Sequence, residues 1–535
     1  MQGRRFVCTE QARDIGDSDG AGLQRMERRI RMEKYDLLII GAGPGGYVAA
    51  LEAAKRGMKV LVVDKKEAGG TCVNRGCIPT KALLHASTIY KDMKECEKFG
   101  LYAKEIGFDM QKLYRYKEES VVEMRNAIEE EFQRLGVTFV QGTAQVQEDK
   151  RVVVKRTSKT IWKNNSDGAG SDIGEDSISA TDTVVYEADK ILIASGAAPR
   201  RLGIAGEELP EVMTSEELLQ ANDRCYDRLV VVGGGVIGLE IATVFQALGS
   251  EVTVIELGER LLPSMDIEFA EALEKILVGR GIRVYKKSLM ERFEKAENGV
   301  NCHLMSDGKK QILPADAVLV SVGRDPYTEE LFAPELKIRM DHGKVPVNEF
   351  FMTNIPGIYA IGDVIGGVQL AHVASAQAKY VVERMNNLEP SVILSIVPSC
   401  LFVSMSIIPN CLYLNPEIAT VGLTEEEAEK KGIPVRCGRY RMDANGQTIL
   451  SKEEVGFIKV LFAADSDVLL GAQIMCQRAT DMIGELATAI ANGLTSRQLM
   501  YAMRAHPTFN EAVSKAVEDS REEKNLQSSL IKKTK

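Results

Sequence analysis

Tryptophan occurs once in this chain and histidine five times, and no histidine stands at a zinc-site spacing from cysteine. No metal centre is expected. Ten cysteines in 535 residues are too dilute for a secreted disulfide scaffold, and only Cys72 and Cys77 form a closely spaced pair. There is no basic excess: 67 Lys and Arg stand against 76 Asp and Glu, a net charge of −9. That argues against nucleic acid as the main partner, since phosphate backbones call for a basic surface. No stretch reads as a membrane anchor. The one long apolar stretch, Val392–Ile408, is at the short limit for a spanning helix and contains Pro398. Residues 1–31 mix both signs of charge (Arg4, Arg5, Asp14, Asp17, Asp19, Arg28, Arg29, Arg31) and carry no apolar run of signal-peptide length. A transit peptide would be poor in acids. The expectation is a soluble, cytoplasmic protein with no membrane partner, whose residues 1–32 form a disordered extension. Met32, just before the first strand, marks an alternative start.

What is present is ordinary globular composition, 45% apolar and 27% charged, on a length suited to about three or four domains. Tyr35–Ile40 (YDLLII) reads as a strand buried on both faces, as in a parallel sheet. It is followed by Gly41-Ala-Gly43-Pro-Gly-Gly46, a helical stretch Tyr47–Gly57, and a strand Lys59–Val63 ending at Asp64. Residues 228–256 repeat this βαβ unit, with Gly233-Gly-Gly235-Val-Ile-Gly238 before a helix and Glu256 after the second strand. The copies align at one constant offset of 192 residues, Gly41 to Gly233 and Asp64 to Glu256. A second echo relates Ile191–Pro199 (ILIASGAAP) to Val318–Pro326 (VLVSVGRDP), which places Gly323 among the candidate cofactor contacts.

Between the copies, Glu118–Leu135 reads as a long charged helix. Val152–Val185 reads as a β meander holding a polar insert, Asn164–Thr183, expected to be a mobile surface loop. After residue 390, short strands and three helical stretches (Glu425–Lys431, Arg478–Asn492, Ser496–Met503) suggest an α+β domain. The fold class expected is α/β, with two Rossmann-like dinucleotide-binding domains and a C-terminal α+β dimerisation domain. The boundaries expected are 33–223 with 345–390 for the first domain, 224–344 for the second, 409–520 for the third, and a tail at 521–535.

In a G-x-G-x-x-G loop the first glycine makes the tight turn, the second lets backbone approach a pyrophosphate, and the third lets helix and strand pack closely. The helix N-terminus supplies amides and dipole to the phosphates. One such motif is weak evidence, because glycine turns before helices are common; two in the same strand–turn–helix–strand–acid context are far stronger. Two sites imply two nucleotides, naturally FAD and a nicotinamide. At Glu256 a carboxylate would accept from a 2′-hydroxyl and repel a 2′-phosphate, which favours NAD over NADP. Arg260, close by in the chain, weakens that preference.

Gly69-Gly-Thr-Cys72-Val-Asn-Arg-Gly-Cys77-Ile-Pro-Thr-Lys81 comes directly after the first unit. Residues five apart on a regular helix have Cα atoms roughly 8–9 Å apart, whereas a disulfide needs them within about 7 Å. If the two pair, Gly76 and Pro79 must mark a distorted helix start. Two buried free thiols are the plain alternative. The place beside a nucleotide loop, and a helix N-terminus able to stabilise a thiolate, favour a redox pair.

GGTCVNRGCIPTKALL closely resembles the active-site segment of the flavin-dependent pyridine nucleotide–disulfide oxidoreductases, and is most like that of the dihydrolipoamide dehydrogenases. GAGPGG, GGGVIGLE, TNIPGIYAIGDV at 353–364 and Ala505-His506-Pro507-Thr508-Phe509-Asn510-Glu511 extend the resemblance over roughly residues 33–520. It implies that Cys72 exchanges with the substrate and Cys77 lies against the flavin. It implies further that Lys81 sits near flavin N5, that Glu240 pairs with that lysine, and that Asp363 holds the ribityl chain. His506 would be the general base, oriented by Glu511 and delivered across a homodimer, with a cis peptide before Pro507. The activity implied is reoxidation of dihydrolipoamide on a lipoyl domain, of an acyltransferase or of a glycine-cleavage carrier protein, with FAD and NAD as cofactors. His85, His303 and His342 carry no such match. His372 follows the Asp363 segment and is read equally as a neighbour of the flavin or as a packing residue.

Ile396–Phe402 (IVPSCLF) and Ile407–Tyr413 (IIPNCLY) are near copies, eleven residues apart. The second runs directly into Asn415-Pro416-Glu417 as in the family, so 391–408 reads as an apolar insert. Beside a dimer interface it would disturb assembly or form an aggregation-prone edge. The competing functions are therefore another disulfide or metal-ion reductase of the family, or a non-catalytic flavoprotein subunit should the insert block the dimer.

Overall fold

The computed structural model describes residues 34–162, 183–220, 224–391, 408–453 and 455–533. The expectations for residues 1–32, for the insert 164–182 and for 392–407 lie outside the described residues.

Three sheets carry the chain. The first is built on β1 (Lys34–Ile40), β2 (Val60–Asp64), β3 (Thr138–Val146), β4 (Val152–Trp162) and β5 (Thr183–Ile193), with β16 (Ile358–Ala360) added from far along the chain. β1 lies parallel between β2 and β5, and Leu38 faces both Leu61 and Ile191. The apolar run of β1 is thus buried on both faces, as its composition demands. β3, β4 and β5 also pair antiparallel, which is the meander.

The second sheet repeats the design, in the order β10 (Arg283–Tyr285), β9 (Glu251–Ile255), β8 (Arg228–Val232), β14 (Ala317–Val320), β7 (Val212–Thr214), all parallel. Its meander is β11 (Ser288–Lys295), β12 (Val300–Ser306), β13 (Lys309–Ala315). β7 stands at the edge of this second sheet although it precedes residue 223, where the sequence suggested the change of domain. The two later echoes meet each other: β6 (Ala197–Pro199) pairs antiparallel with β15 (Arg324–Pro326), tying the two halves together.

The third sheet is antiparallel, in the order β17 (Asn410–Leu412), β18 (Glu417–Gly422), β21 (Leu469–Cys476), β20 (Phe457–Ala463), β19 (Val435–Arg441). Helices Ala479–Ala491 and Glu511–Lys533 cover it, and Leu486, Ala512, Val513 and Val517 lie in its core. The last helix runs on to Lys533, through the stretch expected to be a tail. The charged helix begins earlier than expected, spanning Met110–Leu135, because Asp109 caps it by accepting from the Lys112 amide at 3.1 Å.

The third sheet is fastened to the second by buried charge. Lys459 on β20 is 1% exposed, and Asp266, the cap of helix Ile267–Gly279, is 2% exposed. The ammonium lies 3.0 Å from one Asp266 oxygen and 3.2 Å from Glu425, with Glu268 also paired to it. Removing one partner of a buried pair leaves a charge stranded away from water, which typically costs about 3–5 kcal/mol. Lys459→Met should therefore lower the unfolding free energy of the holoenzyme by about that amount in a denaturant titration. An unchanged midpoint would show that the pair does not hold the sheets together.

Candidate active site

The two glycine loops are built alike, atom for atom. Gly41 and Gly233 have φ of +105° and +111°, and a Cβ on either would sit 2.2 Å from the Ala194 carbonyl oxygen or 2.4 Å from that of Ser321. Gly46 and Gly238 are the close-packing positions: a Cβ there would lie 1.8 Å from the Gly41 oxygen and 2.2 Å from the Gly233 oxygen. Gly43 and Gly235 cap the helices Pro44–Lys55 and Val236–Ala247 without any side-chain acceptor, and a Cβ on Gly235 would meet nothing within 4 Å. First-turn amides facing open space are a phosphate cradle.

The acids that close the second strands have a role the sequence did not reveal. Asp64 accepts from the Ala42 amide at 2.7 Å and the Lys66 amide at 2.8 Å. Glu256 does the same with Gly234 at 2.7 Å and Gly258 at 2.6 Å. Each acid braces its own glycine loop as well as facing the ligand space. Burial pushes the Asp64 carboxyl up, against the two amides that favour its charge. Arg260 is turned away from this space: both terminal nitrogens lie 3.3 Å from Glu426, and one donates to the Pro263 carbonyl at 3.0 Å.

Both loops open into one cavity of about 1990 Å³, lined by Gly41, Gly43, Asp64, Cys72, Cys77, Lys81, Gly233, Gly235, Glu240, Glu256, Gly323 and Asp363. A pocket for one drug-sized ligand is roughly 300–1,000 Å³, so there is room for two nucleotides. Asp363, on the turn Gly362–Ile365, accepts no side-chain or amide donor among the described residues, and burial raises its pKa against the pull of Arg324. A half-buried carboxylate without a donor suits the hydroxyls of a ribityl chain. The residues present therefore fit a flavin dinucleotide at the first loop and a nicotinamide dinucleotide at the second.

Cys72 lies on the short helix Gly70–Arg75 and Cys77 opens the next, Cys77–Lys94. Gly76 breaks them apart at φ −143°, ψ −102°, so the regular-helix separation does not apply and the two sulfurs come within hydrogen-bonding reach. The distortion lies at Gly76 alone. Pro79 is the third residue of the second helix, where its missing N–H removes nothing. Both cysteines are free thiols here. The Cys72 hydrogen bond, helped by the Lys81 ammonium, pulls the Cys77 thiol down against its burial, while that bond and burial push Cys72 up. The two shifts run in opposite directions, so Cys77 is the thiol of the pair that ionises first.

Lys81, one turn beyond Cys77, pairs with Glu240 at 2.8 and 3.1 Å. Glu240, on helix Val236–Ala247, is 2% exposed. Its oxygen also accepts from the Tyr413 amide at 3.1 Å, and the Tyr413 ring centre lies 4.7 Å from the Lys81 ammonium. His372 lines the cavity and is hydrogen-bonded to the Pro409 carbonyl at 2.9 Å. Tyr413 went unnoticed in the sequence, where the only signal was its place just before Leu414 and Asn415.

His506 and Glu511 come together but stand outside the cavity. His506 Nδ1 is 2.7 Å from Glu511, whose other oxygen accepts from the Thr508 amide at 2.9 Å. That amide first, and the imidazole second, hold the Glu511 carboxyl below its usual range. The His506 side chain is 78% exposed and the His506–Pro507 peptide is cis. The arrangement fixes the ring through Nδ1 and leaves Nε2 without a partner among the described residues.

Residues 35–378 match the model of the pyridine nucleotide-disulphide oxidoreductases, and residues 408–517 match the dimerisation domain of the same family. The chain is 32% identical over 486 residues to a dihydrolipoyl dehydrogenase of Bacillus subtilis, covering 90% of this chain and 97% of that one. It is 34% identical to a mitochondrial dihydrolipoyl dehydrogenase of Dictyostelium discoideum, covering 92% and 96%. Among solved structures it is similar in fold to LpdA of Mycobacterium tuberculosis (TM-score 0.77, 24% identity, 91% and 99% covered). It is similar also to an HOCl-induced flavoprotein disulfide reductase of Escherichia coli (TM-score 0.75, 24% identity, 90% and 99% covered).

The reduced protein should show one thiolate appearing as pH rises through about 7, the value to which Cys77 is lowered. Its ultraviolet absorbance should vanish from that range in Cys77→Ser. A titration unchanged by that substitution would place the thiolate elsewhere.

Proposed function

The chain belongs to the pyridine nucleotide-disulphide oxidoreductase family, and we propose that it oxidises a dihydrolipoyl group carried by a partner protein, delivering the electrons to NAD. The observation that carries this reading is the meeting of the Cys72–Cys77 pair, the Lys81–Glu240 pair and both nucleotide loops in one cavity. Support for the substrate comes from the dihydrolipoyl dehydrogenases that the chain resembles over nearly their whole length. Candidate donors are the lipoyl domain of an acyltransferase or a glycine-cleavage carrier protein.

The residues divide the work as follows. His506 Nε2 takes the proton of one substrate thiol, and Glu511 steadies the imidazolium that results. The substrate thiolate attacks Cys72 in the oxidised pair; the Cys72–Cys77 bond breaks, and Cys77 departs as thiolate. This order suits the two thiols, because the sulfur of lower pKa is the better leaving group. The second substrate thiol then attacks the substrate sulfur bound to Cys72, its proton passing to the departing Cys72 sulfur, which closes the lipoyl disulfide and frees Cys72 as a thiol. Bound flavin supplies the two-electron step that links the reduced cysteines to the nicotinamide. Asp363 would orient the flavin's ribityl hydroxyls, Lys81 would place positive charge beside the ring, and the loop amides at Gly43 and Gly235 would hold the two pyrophosphates.

His506 is not among the residues that line its own chain's cavity, which supports its delivery to a second copy in a homodimer. Ile449, Leu450, Val455, Tyr501 and Met503 are all exposed on the C-terminal module, and Met503 fully so. Such an apolar set favours burial against another copy.

His506→Gln should cut dihydrolipoamide turnover by about a hundredfold or more, the usual scale for a general base. It should spare NADH oxidation by a quinone, which does not need the thiol proton. Mixing inactive Cys72→Ser chains with inactive His506→Gln chains should restore activity through heterodimers having one intact site. No rescue after verified subunit exchange would contradict the shared site.

The nicotinamide preference follows from Glu256 and from Glu426 engaging Arg260. Two like charges about 4 Å apart near a surface repel by roughly 1–4 kcal/mol, so NAD should exceed NADP in kcat/KM by about tenfold or more. Glu256→Gln should narrow the gap; equal use of both by the unsubstituted protein would overturn the assignment.

A further inference from the structure

The Lys81–Glu240 pair is held from a direction that neither nucleotide unit provides. Lys81 comes from the cysteine helix of the first unit, and Glu240 from the first helix of the second. The remaining contacts come from Pro409–Tyr413, the segment that opens the third sheet. At its start the Pro409 carbonyl is hydrogen-bonded to His372, which belongs to helix Ala371–Met385 of the first unit. At its end the Tyr413 amide donates to Glu240 Oε1 at 3.1 Å, and the Tyr413 ring faces the Lys81 ammonium at 4.7 Å. The ammonium therefore lies between a carboxylate and an aromatic face. Glu240 is almost wholly buried, whereas the Lys81 side chain keeps 33% exposure. The carboxylate holds the ammonium from one side, and the ring adds a second restraint on the same group.

We propose that Tyr413 is a positioning residue for Lys81: its ring fixes the ammonium, and its amide fixes the carboxylate, in the orientation that favours reduction of the flavin. This rests on the reading of Lys81 given above. A cation on an aromatic face is held there by the ring's quadrupole. Without the ring the ammonium samples other rotamers and its average field at the flavin weakens, so the reduced flavin is less favoured. Tyr413→Phe keeps the ring face and should behave as the unsubstituted protein. Tyr413→Leu removes it.

The test is the two-electron reduction potential of bound flavin, measured at fixed pH against a reference dye in holoenzymes of matched flavin content. Tyr413→Leu should shift the reduction equilibrium by about tenfold against the reduced form, about 30 mV for two electrons. Lys81→Met should shift it in the same direction and further. Adding Tyr413→Leu to Lys81→Met should change nothing more, since the ring acts through the ammonium. Tyr413→Met, which has volume but no ring face, stands in for leucine should that variant fail to fold. A potential unchanged in Tyr413→Leu, while Lys81→Met shifts it, would overturn the proposal alone. So would a Tyr413→Leu shift that persists undiminished in the Lys81→Met background. No shift in Lys81→Met would overturn the role given to Lys81 and this inference with it.

Discussion

A carboxylate taken out of water must find partners, and Glu240 shows how much of a structure that need can organise. It sits on the first helix of the second nucleotide unit and is 2% exposed. Its partners are an ammonium 159 residues earlier and an amide 173 residues later. The first lies one turn beyond Cys77, and the second opens the sheet that carries the family's dimerisation module. Satisfying this one group brings the thiol pair, the nicotinamide loop and the C-terminal module to a common point. Both dinucleotide loops line the cavity at that point.

The duplicated units show one physical problem solved twice. Each loop needs a glycine at positive φ and another where helix and strand meet, and each needs amides left open at the helix start. An acid on the neighbouring strand then holds the loop in shape, as Asp64 does with Ala42 and Glu256 with Gly234. The repeat extends to the meanders and to β6 and β15, which pair with one another across the junction. The same brace leaves the acid's side chain lining the cavity.

What could be read in the sequence was what is local in the chain. The glycine loops, the buried strands and the break between Cys72 and Cys77 depend on residues within a few positions of each other, and the acids follow their loops within one βαβ unit. Even there the roles divide: Gly76 makes the break, and Pro79 sits within the first turn of the helix that follows. Lys81, Glu240, Asp363, His506 and Glu511 entered only through resemblance to a family, since no spacing rule joins residues so far apart. Contacts between residues far apart in the chain were not legible. Arg260 with Glu426, separated by 166 residues, and Lys459 with Asp266, separated by 193, each required the fold before they could be seen. β7 escaped notice for a different reason: at three residues, Val212–Thr214 is too short to show a period.

The account stands on the thiol pair being the entry point for a dihydrolipoyl donor and on the second loop taking NAD. The direct measurement is steady-state turnover of the purified holoenzyme with NAD, using dihydrolipoamide and reduced glutathione as rival donors. The account predicts rapid NADH formation from dihydrolipoamide, little from glutathione, and loss of the dihydrolipoamide reaction in Cys72→Ser. Turnover of glutathione at a comparable kcat/KM, or full dihydrolipoamide activity without Cys72, would contradict it.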